Sequence, residues 1–140
     1  MVGVDLGTRR VGVAVSDSGR TLASPYTTLL RSGDVDADRQ ALVALVRELE
    51  ADTVVVGLPL SLDGTKGPAA KAAVAEQAAL AAALAGDAVT VELFDERLTT
   101  ADAAAGLRRG GTSARRARQV VDQHAAAVML QAWLDRRTEP

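Results

Sequence analysis

Apolar runs and polar breaks alternate along the N-terminal part of the chain in the manner of short β-strands. Val2–Leu6 and residues 11–15 are rich in Val, and the break between them, residues 7–10, contains glycine. This pattern predicts two strands joined by a tight turn, which is an antiparallel hairpin. Residues 21–30 predict a third strand, and Pro25 places it at an edge because proline donates no ladder hydrogen bond.

Segments with helical periodicity follow the predicted strands. Between residues 36 and 50 the apolar side chains recur at helical spacing, and Asp36 and Asp38 suit the start of a helix. Residues 53–56 are a β-branched run that ends at Gly57, which is typical of a strand buried on both faces. The remaining pattern predicts a helix, a strand and two helices, at residues 68–85, 89–94, 100–109 and 113–136.

The order of these elements predicts the fold class. Strands separated by helices of this length favour parallel pairing through right-handed crossovers, whereas the N-terminal hairpin is antiparallel. We therefore expect an α/β fold with a five-stranded mixed sheet flanked by helices. With 140 residues and 48% hydrophobic content, residues 1–140 are predicted to form a single domain with one buried core.

The composition limits the chemistry that the chain can perform. The absence of cysteine excludes disulfides, thiolate metal sites and cysteine nucleophiles, and a single histidine, His124, excludes a multi-histidine metal site. Carboxylates are the plentiful metal ligands that remain. Because the chain begins unlike a signal peptide and has no apolar stretch of about 18 residues, we expect a cytoplasmic protein without a membrane partner.

A basic region precedes the last predicted helix and extends into it. The net charge is −2, so binding to nucleic acid requires a local patch, and no acid interrupts residues 103–121. This stretch holds five arginines, Arg108, Arg109, Arg115, Arg116 and Arg118. A solvated helix face is the alternative interpretation. We expect these arginines to bind the phosphate backbone of nucleic acid.

Acidic residues in three apolar contexts are candidates for catalysis. Asp5 interrupts the first strand, where it either binds a metal or caps the following turn. Asp95 and Glu96 follow a predicted buried strand, at the end where sites form in open α/β sheets, and strand alternation does not choose between them. A surface ion pair of Glu96 with Arg97 is the structural alternative. Asp122 lies on an otherwise apolar helical stripe and needs a partner.

Carboxylates from two strands and one helix could converge on divalent ions. Mg²⁺ and Mn²⁺ prefer oxygen ligands, and two such ions about 4 Å apart activate water and stabilise the departing oxygen of a phosphodiester. Such a site gives the acids and the arginines a common purpose, since arginines hold the phosphate backbone outside the catalytic pocket.

The sequence resembles a known family over nearly its whole length. The signature blocks of the bacterial YqgF/RuvX family are similar, in order, to VDLGTRRVGVAVSD (residues 4–17), VVVGLPLSLDGTKGP (residues 54–68), FDERLTTADA (residues 94–103) and VVDQHAAAVMLQAWLD (residues 120–135). Members of that family have an RNase H-like fold and are described as pre-16S rRNA nucleases or Holliday junction resolvases. The resemblance implies that Asp5, Glu96 and Asp122 are the metal-binding catalytic acids, which selects Glu96 over Asp95.

The leading hypothesis is a hydrolase of the two-metal-ion type that cleaves precursor 16S rRNA during 5′-end maturation, with Mg²⁺ or Mn²⁺ as cofactor. The alternative within this class is a resolvase of branched DNA, which needs two active sites and hence a homodimer, whereas a monomer suffices for the first. An ATP-dependent phosphotransferase, suggested by residues 5–8, and a non-catalytic RNA-binding module are the other hypotheses. The residues expected to contact nucleic acid are Arg9, Arg10, Lys66, Arg97, Arg108, Arg109, Arg115, Arg116 and Arg118.

Overall fold

The structure is a computed structural model that describes residues 1–99 and 114–138, and of residues 114–120 and 138 it describes the backbone alone. The strands are β1 (Val2–Leu6), β2 (Arg10–Ser16), β3 (Ala23–Leu30), β4 (Thr53–Leu58) and β5 (Thr90–Asp95). The α-helices are α1 (Val35–Glu48), α2 (Pro68–Ala83) and α3 (Ala114–Thr138). Two short 3₁₀ turns occupy Ala85–Asp87 and Glu96–Leu98.

The strands form one mixed sheet in the order β3-β2-β1-β4-β5. β1 pairs antiparallel with β2 and parallel with β4, and β4 pairs parallel with β5. The predicted five-stranded mixed sheet is therefore confirmed, as is the edge position of β3, which contains Pro25. Because β1, β4 and β5 run in the same direction, their carboxyl ends meet at one edge of the sheet.

The two faces of the sheet have separate apolar cores. One face packs against α1 and α2, and its buried side chains include Val4, Val13, Val56, Leu42, Val46 and Leu80. The other face packs against α3, with Val55, Phe94, Ala126, Met129, Leu130 and Trp133. Strand alternation explains this division, because neighbouring residues of a strand point to opposite faces. The described residues thus form three layers with the sheet in the middle.

Several boundaries differ from those that the sequence predicts. β4 continues through Gly57 to Leu58, where Gly57 pairs with Phe94, so the expected end at Gly57 is wrong. Helix α1 begins one residue earlier than expected because the side chain of Asp34 accepts hydrogen bonds from the backbone N–H groups of Asp36 and Ala37. The helix predicted at 100–109 lies outside the described residues. Over the described parts of the chain, none of the helices is long and apolar enough to cross a membrane.

Candidate metal centre and nucleic-acid interface

Asp5 lies between two glycines on the face of the sheet that packs against α3. Its partner in β2 is Gly12. On the other side, Val4 pairs with Val56 of β4, which makes Gly57 the neighbour of Asp5 when the same register continues. Glycine lacks a side chain, so the sheet surface is open on both sides of the Asp5 carboxyl.

Helix α3 uses the space beside Gly12 and a similar space at Gly3. A Cβ atom placed on Gly3 would lie 2.9 Å from the Cβ of Leu130, and one placed on Gly12 would overlap the backbone carbonyl of Asp122. The two glycines therefore let the helix backbone approach the sheet. This approach brings Asp122 close enough for its charge to act on Asp5.

Glu96 uses the space beside Gly57. A Cβ atom on Gly57 would overlap the carboxyl group of Glu96, so the glycine is required for this side-chain position. Glu96 is not part of β5 but starts the 3₁₀ turn Glu96–Leu98, which the side chain of Asp95 caps by accepting a hydrogen bond from the backbone N–H of Arg97. The turn redirects Glu96 over the end of β4 towards Asp5.

Asp5 and Glu96 form a hydrogen-bonded carboxyl pair. Burial and the neighbouring charge of Asp5 raise the pKa of Glu96 to about 8. Burial also raises the pKa of Asp5, and the charge of Asp122 raises it further. The two carboxyl groups share one proton, because like charges in contact away from water do not both ionise near neutral pH.

The third acid has a different partner. The Nε–H of Arg10 donates a hydrogen bond of 2.6 Å to Oδ2 of Asp122, and both side chains are half-buried, with exposures of 23% and 27%. Among the described residues, no three acidic or histidine side chains are grouped so as to hold one metal ion. The structure thus places two of the predicted acids in contact and the third beside them, bound to an arginine.

The chemistry of these three carboxyl groups fits a divalent cation. Each is at least partly buried, and positive charge from a proton or a guanidinium compensates two of them. Hard cations such as Mg²⁺ and Mn²⁺ prefer anionic oxygen ligands, and their charge would relieve the repulsion that raises the two pKa values. Asp5 and Glu96 could hold such an ion together, and Asp122 could join them if Arg10 released it.

Asp95, and not Glu96, forms the ion pair with Arg97. Its carboxylate accepts hydrogen bonds from the Arg97 guanidinium, the shortest of them 2.7 Å, and this lowers the pKa of Asp95. The same guanidinium reaches the backbone carbonyl of Leu62, in the loop between β4 and α2, at 3.5 Å. The structural alternative of an ion pair between Glu96 and Arg97 is therefore wrong, because Arg97 pairs with Asp95. Glu96 instead contacts Asp5.

The other residues predicted to contact nucleic acid lie in several places. Arg9 is exposed in the turn between β1 and β2, and Lys66 is exposed in the loop between β4 and α2. Arg115, Arg116 and Arg118 belong to α3, although their side chains lie outside the described part. Arg108 and Arg109 lie outside the described residues altogether.

Sequence reasoning missed Arg31 and Gly12, and it placed Gly57 at the end of a strand and not beside Asp5. An open groove of about 520 Å³ adjoins the site and is lined by Thr8, Arg9, Arg10, Leu30, Arg31, Gly33, Val35 and Asp38. The backbone N–H of Arg31 donates a hydrogen bond to the carbonyl of Arg9. This bond joins the start of the segment after β3, at Arg31, to the turn between β1 and β2, which contains Arg9. Glycines within apolar strands were the available signal for Gly12 and Gly57, since they often mark a close approach.

The profile of the RuvX family, described as "Holliday junction resolvase", matches residues 1–136 of this chain. A protein of Anaeromyxobacter dehalogenans (strain 2CP-C) is 48% identical over 136 residues, which are 97% of this chain and 96% of that protein. One of Nocardia farcinica is 46% identical over 142 residues, covering 98% of this chain and 78% of that protein. Both relatives carry the name "Putative pre-16S rRNA nuclease".

Solved structures resemble the fold. T. thermophilus RuvC in complex with a Holliday junction substrate has a TM-score of 0.61 at 16% identity, with 99% of this chain and 97% of that chain covered. The yeast mitochondrial Holliday junction resolvase Ydc2 has a TM-score of 0.54 at 10% identity, with coverage of 95% and 76%. At these identities the likeness concerns the fold alone, and it confirms the predicted RNase H-like class.

Proposed function

This chain belongs to the RuvX family, and from that premise we propose that it is a divalent-metal-dependent nuclease that hydrolyses phosphodiester bonds in nucleic acid. The proposed substrate is precursor 16S rRNA, because relatives with 46% and 48% identity are named for that activity. Cleavage at the 5′ end of this precursor makes the protein a participant in ribosome biogenesis in the cytoplasm.

The observation that carries the proposal is the contact between Asp5 and Glu96 at the carboxyl edge of the sheet, with Asp122 beside it. A fold gains no stability from two buried carboxyl groups in contact, since burial and mutual repulsion disfavour their ionised forms. An arrangement that costs stability and concentrates anionic oxygens is expected where a cation has to be held.

Asp5, Glu96 and Asp122 are the residues that would hold Mg²⁺ or Mn²⁺, as two ions. When bound, such ions supply a water nucleophile at neutral pH and stabilise the departing oxygen of the phosphodiester. The chain itself prepares the ligands. Gly12 and Gly57 let the Asp122 backbone and the Glu96 carboxyl lie against the sheet. With a cation bound, the proton shared by Glu96 and Asp5 would pass to solvent, so that both would present anionic oxygens.

Basic residues around this site are proposed to hold the phosphate backbone. Arg97 follows Glu96 directly, and its ion pair with Asp95 fixes the guanidinium beside the acids. Arg9 and Arg31 line the groove on the β1–β2 side. Arginines in such positions bind phosphates of any sequence and orient the strand without reading its bases.

A comparison of two Asp→Asn variants tests the metal-nuclease proposal. Asp5→Asn preserves shape and removes charge, so metal-dependent cleavage should fall more than about 100-fold, beyond the 10–100-fold that is typical of residues that only support a ligand. Asp87→Asn is the matched control and should lose far less, because the ion pair of Asp87 is with Arg47 and not with a residue of the proposed site. Cleavage is measured with Mn²⁺ on precursor rRNA, plain RNA, duplex DNA and four-way junctions, beside a melting curve of each variant.

Two results would contradict this assignment. One is cleavage at the wild-type rate by well-folded Asp5→Asn protein, and the other is an equal loss in both variants. If Asp5 instead served only as a turn cap, its replacement would lower the melting temperature with little change in cleavage per folded molecule.

A second candidate function is resolution of Holliday junctions, and the observation that favours it is the description of the family profile that covers residues 1–136. Symmetric cleavage of two strands requires two active sites and therefore a dimer. Preference for four-way junctions in the substrate panel, together with a dimeric mass in solution, would select this function over rRNA maturation. A monomer that prefers precursor rRNA would exclude it.

A further inference from the structure

Arg10 adjoins two different parts of the proposed site. Its Nε–H donates to Asp122, one of the three proposed metal ligands. The same residue lines the groove that contains Arg9 and Arg31. Arg10 begins β2 on the same face as Gly12, two residues further on, which explains why it reaches Asp122 where α3 passes over Gly12.

The ion pair between Arg10 and Asp122 is placed where the two groups interact strongly. Both are half-buried, and the hydrogen bond of 2.6 Å is short and charge-assisted. Such a pair is stronger than one in open solvent, because water screens it less. Within the described part of the chain, Asp122 is the one acid with which Arg10 forms a salt bridge.

A divalent cation and the Arg10 guanidinium would compete for the carboxylate of Asp122. If a cation took Asp122, the guanidinium would lose its partner and would be free to bind another anion. The groove beside it leads past Arg9 and Arg31, where the proposed function places a phosphate backbone. Nucleic acid that engaged Arg10 would in turn release Asp122 for the cation.

We propose that Arg10 is a positioning residue that holds Asp122 in the metal-free protein and transfers from Asp122 to a substrate phosphate when metal and nucleic acid bind. Metal and nucleic acid therefore bind with positive coupling, each raising the affinity for the other by the same factor. This inference rests on the proposed function, and it adds the order in which the site is assembled on its substrate.

The test measures metal affinity rather than cleavage. Mn²⁺ is titrated into the protein by calorimetry, with and without a short 2′-O-methyl RNA oligonucleotide whose integrity is checked afterwards. In the wild-type protein, RNA should tighten Mn²⁺ binding about tenfold, within the usual range of coupling between sites. Arg10→Gln should bind Mn²⁺ about tenfold more tightly than wild type without RNA, and RNA should add little.

Arg97→Gln is the matched control. It removes the same charge near the acids, but its ion-pair partner is Asp95 rather than a proposed ligand. A general electrostatic effect would tighten Mn²⁺ binding equally in both glutamine variants, and this result would overturn the inference. Arg10→Lys keeps the charge and should restore most of the coupling. Melting curves of the metal-free variants verify that each protein is folded.

Weaker Mn²⁺ binding by Arg10→Gln would identify a purely structural role for Arg10. If Arg10 only anchors α3, Arg10→Gln will displace Asp122 and weaken Mn²⁺ binding, which overturns the inference and leaves the proposed function intact. An unchanged Mn²⁺ affinity in Arg10→Gln would likewise overturn the inference and leave the proposed function intact. A wild-type protein that binds no Mn²⁺ and cleaves nothing contradicts the proposed function itself.

Discussion

Asp95 and Glu96 are adjacent in the chain and have opposite electrostatic environments. Hydrogen bonds from the Arg97 side chain lower the pKa of Asp95, whereas burial beside Asp5 raises that of Glu96 to about 8. The cause is the start of a 3₁₀ turn between the two residues, which leaves Asp95 at its cap and turns Glu96 inward. Of these two adjacent residues, Asp95 therefore stabilises the fold, whereas Glu96 lowers the stability of the metal-free protein when its carboxyl group is ionised.

The raised pKa of Glu96 predicts a pH-dependent loss of stability in the metal-free protein. The ordinary value for this carboxyl is 4.5, and in the folded protein it is about 8. Between these values the folded state binds more protons than the unfolded chain, so the free energy of unfolding falls as pH rises. Glu96→Gln removes this titration, so in EDTA at about pH 9 the variant should have a higher urea midpoint than wild type. The difference between the two midpoints should be smaller at about pH 5.

Asp95→Asn is the control for this pH series. In the wild-type protein the pKa of Asp95 is lowered, so the charged carboxylate contributes stability that is fully present above the ordinary pKa of 3.8. The variant should therefore be less stable than wild type by a similar amount at both pH values. A Glu96→Gln protein whose pH dependence matched that of wild type would mean that Glu96 is already ionised in the fold.

At the level of elements, the site depends on how closely α3 and the turn after β5 approach the sheet. Gly12 faces the backbone of α3, and Gly57 faces a side-chain carboxyl. These two contacts differ in whether the neighbouring group could move away from an added side chain. A helix backbone moves only with the whole helix, whereas the end of a glutamate side chain can rotate away.

Two alanine substitutions should separate stability from function. Gly12→Ala places a Cβ against the Asp122 carbonyl and should lower the free energy of unfolding by about 1–3 kcal/mol, the usual cost of overpacking. Gly57→Ala should change stability less, because Glu96 can swing away, but it should reduce cleavage about 100-fold, since a small misplacement of a reacting group has that effect. Urea unfolding and cleavage with Mn²⁺ measure the two quantities.

Gly86→Ala is the control for both, because a Cβ atom there meets nothing within 4 Å. It should leave stability and cleavage near the wild-type values. Equal stability losses in Gly12→Ala and Gly57→Ala, with cleavage retained in the second, would show that the position of the Glu96 carboxyl does not matter for the reaction.

At the scale of the whole molecule, the charge distribution matters more than the total charge. The net charge of −2 would repel nucleic acid, yet basic residues adjoin the acids on both sides. Arg9, Arg10 and Arg31 lie at one side, and Arg97 and the loop of Lys66 lie at the other. The start of α3 adds Arg115 and Arg116 to the basic residues of the chain.

The basic start of α3 should contribute directly to the salt dependence of binding. Arg115→Ala combined with Arg116→Ala should make the plot of log affinity against log salt concentration shallower by about 1.4, at about 0.7 for each phosphate of a single strand that is no longer neutralised. The weakening should be similar for unrelated sequences, because arginines that bind phosphates do not read bases. Fluorescence anisotropy of labelled RNA over a range of salt concentrations provides the measurement.

Arg136→Ala is the matched control, since Arg136 is an exposed arginine near the other end of the same helix. It removes a charge of the same sign from the molecule and should leave the salt slope unchanged. A slope that changed per charge removed, irrespective of position, would mean that the arginines act through net charge and do not bind phosphates directly.

The sequence by itself determined most of the described elements and the class of the fold. Val-rich runs, helical spacing and breaks at glycine and proline are local signals, and they were sufficient for β1, for the mixed pairing of the sheet and for the central parts of α1 and α2. They also singled out Asp5 and Asp122, because a carboxylate within an apolar strand or stripe is conspicuous without any knowledge of its partners. Family resemblance then selected Glu96.

The tertiary structure decided which groups meet. Strand alternation could not distinguish Asp95 from Glu96, because the chain leaves the strand between them for a turn whose direction depends on the space at Gly57. The pairing of Arg10 with Asp122 joins residues 112 positions apart and follows from the close approach of α3 at Gly12. Such contacts depend on packing between distant segments, which local periodicity does not encode, and they determine the charge of the site.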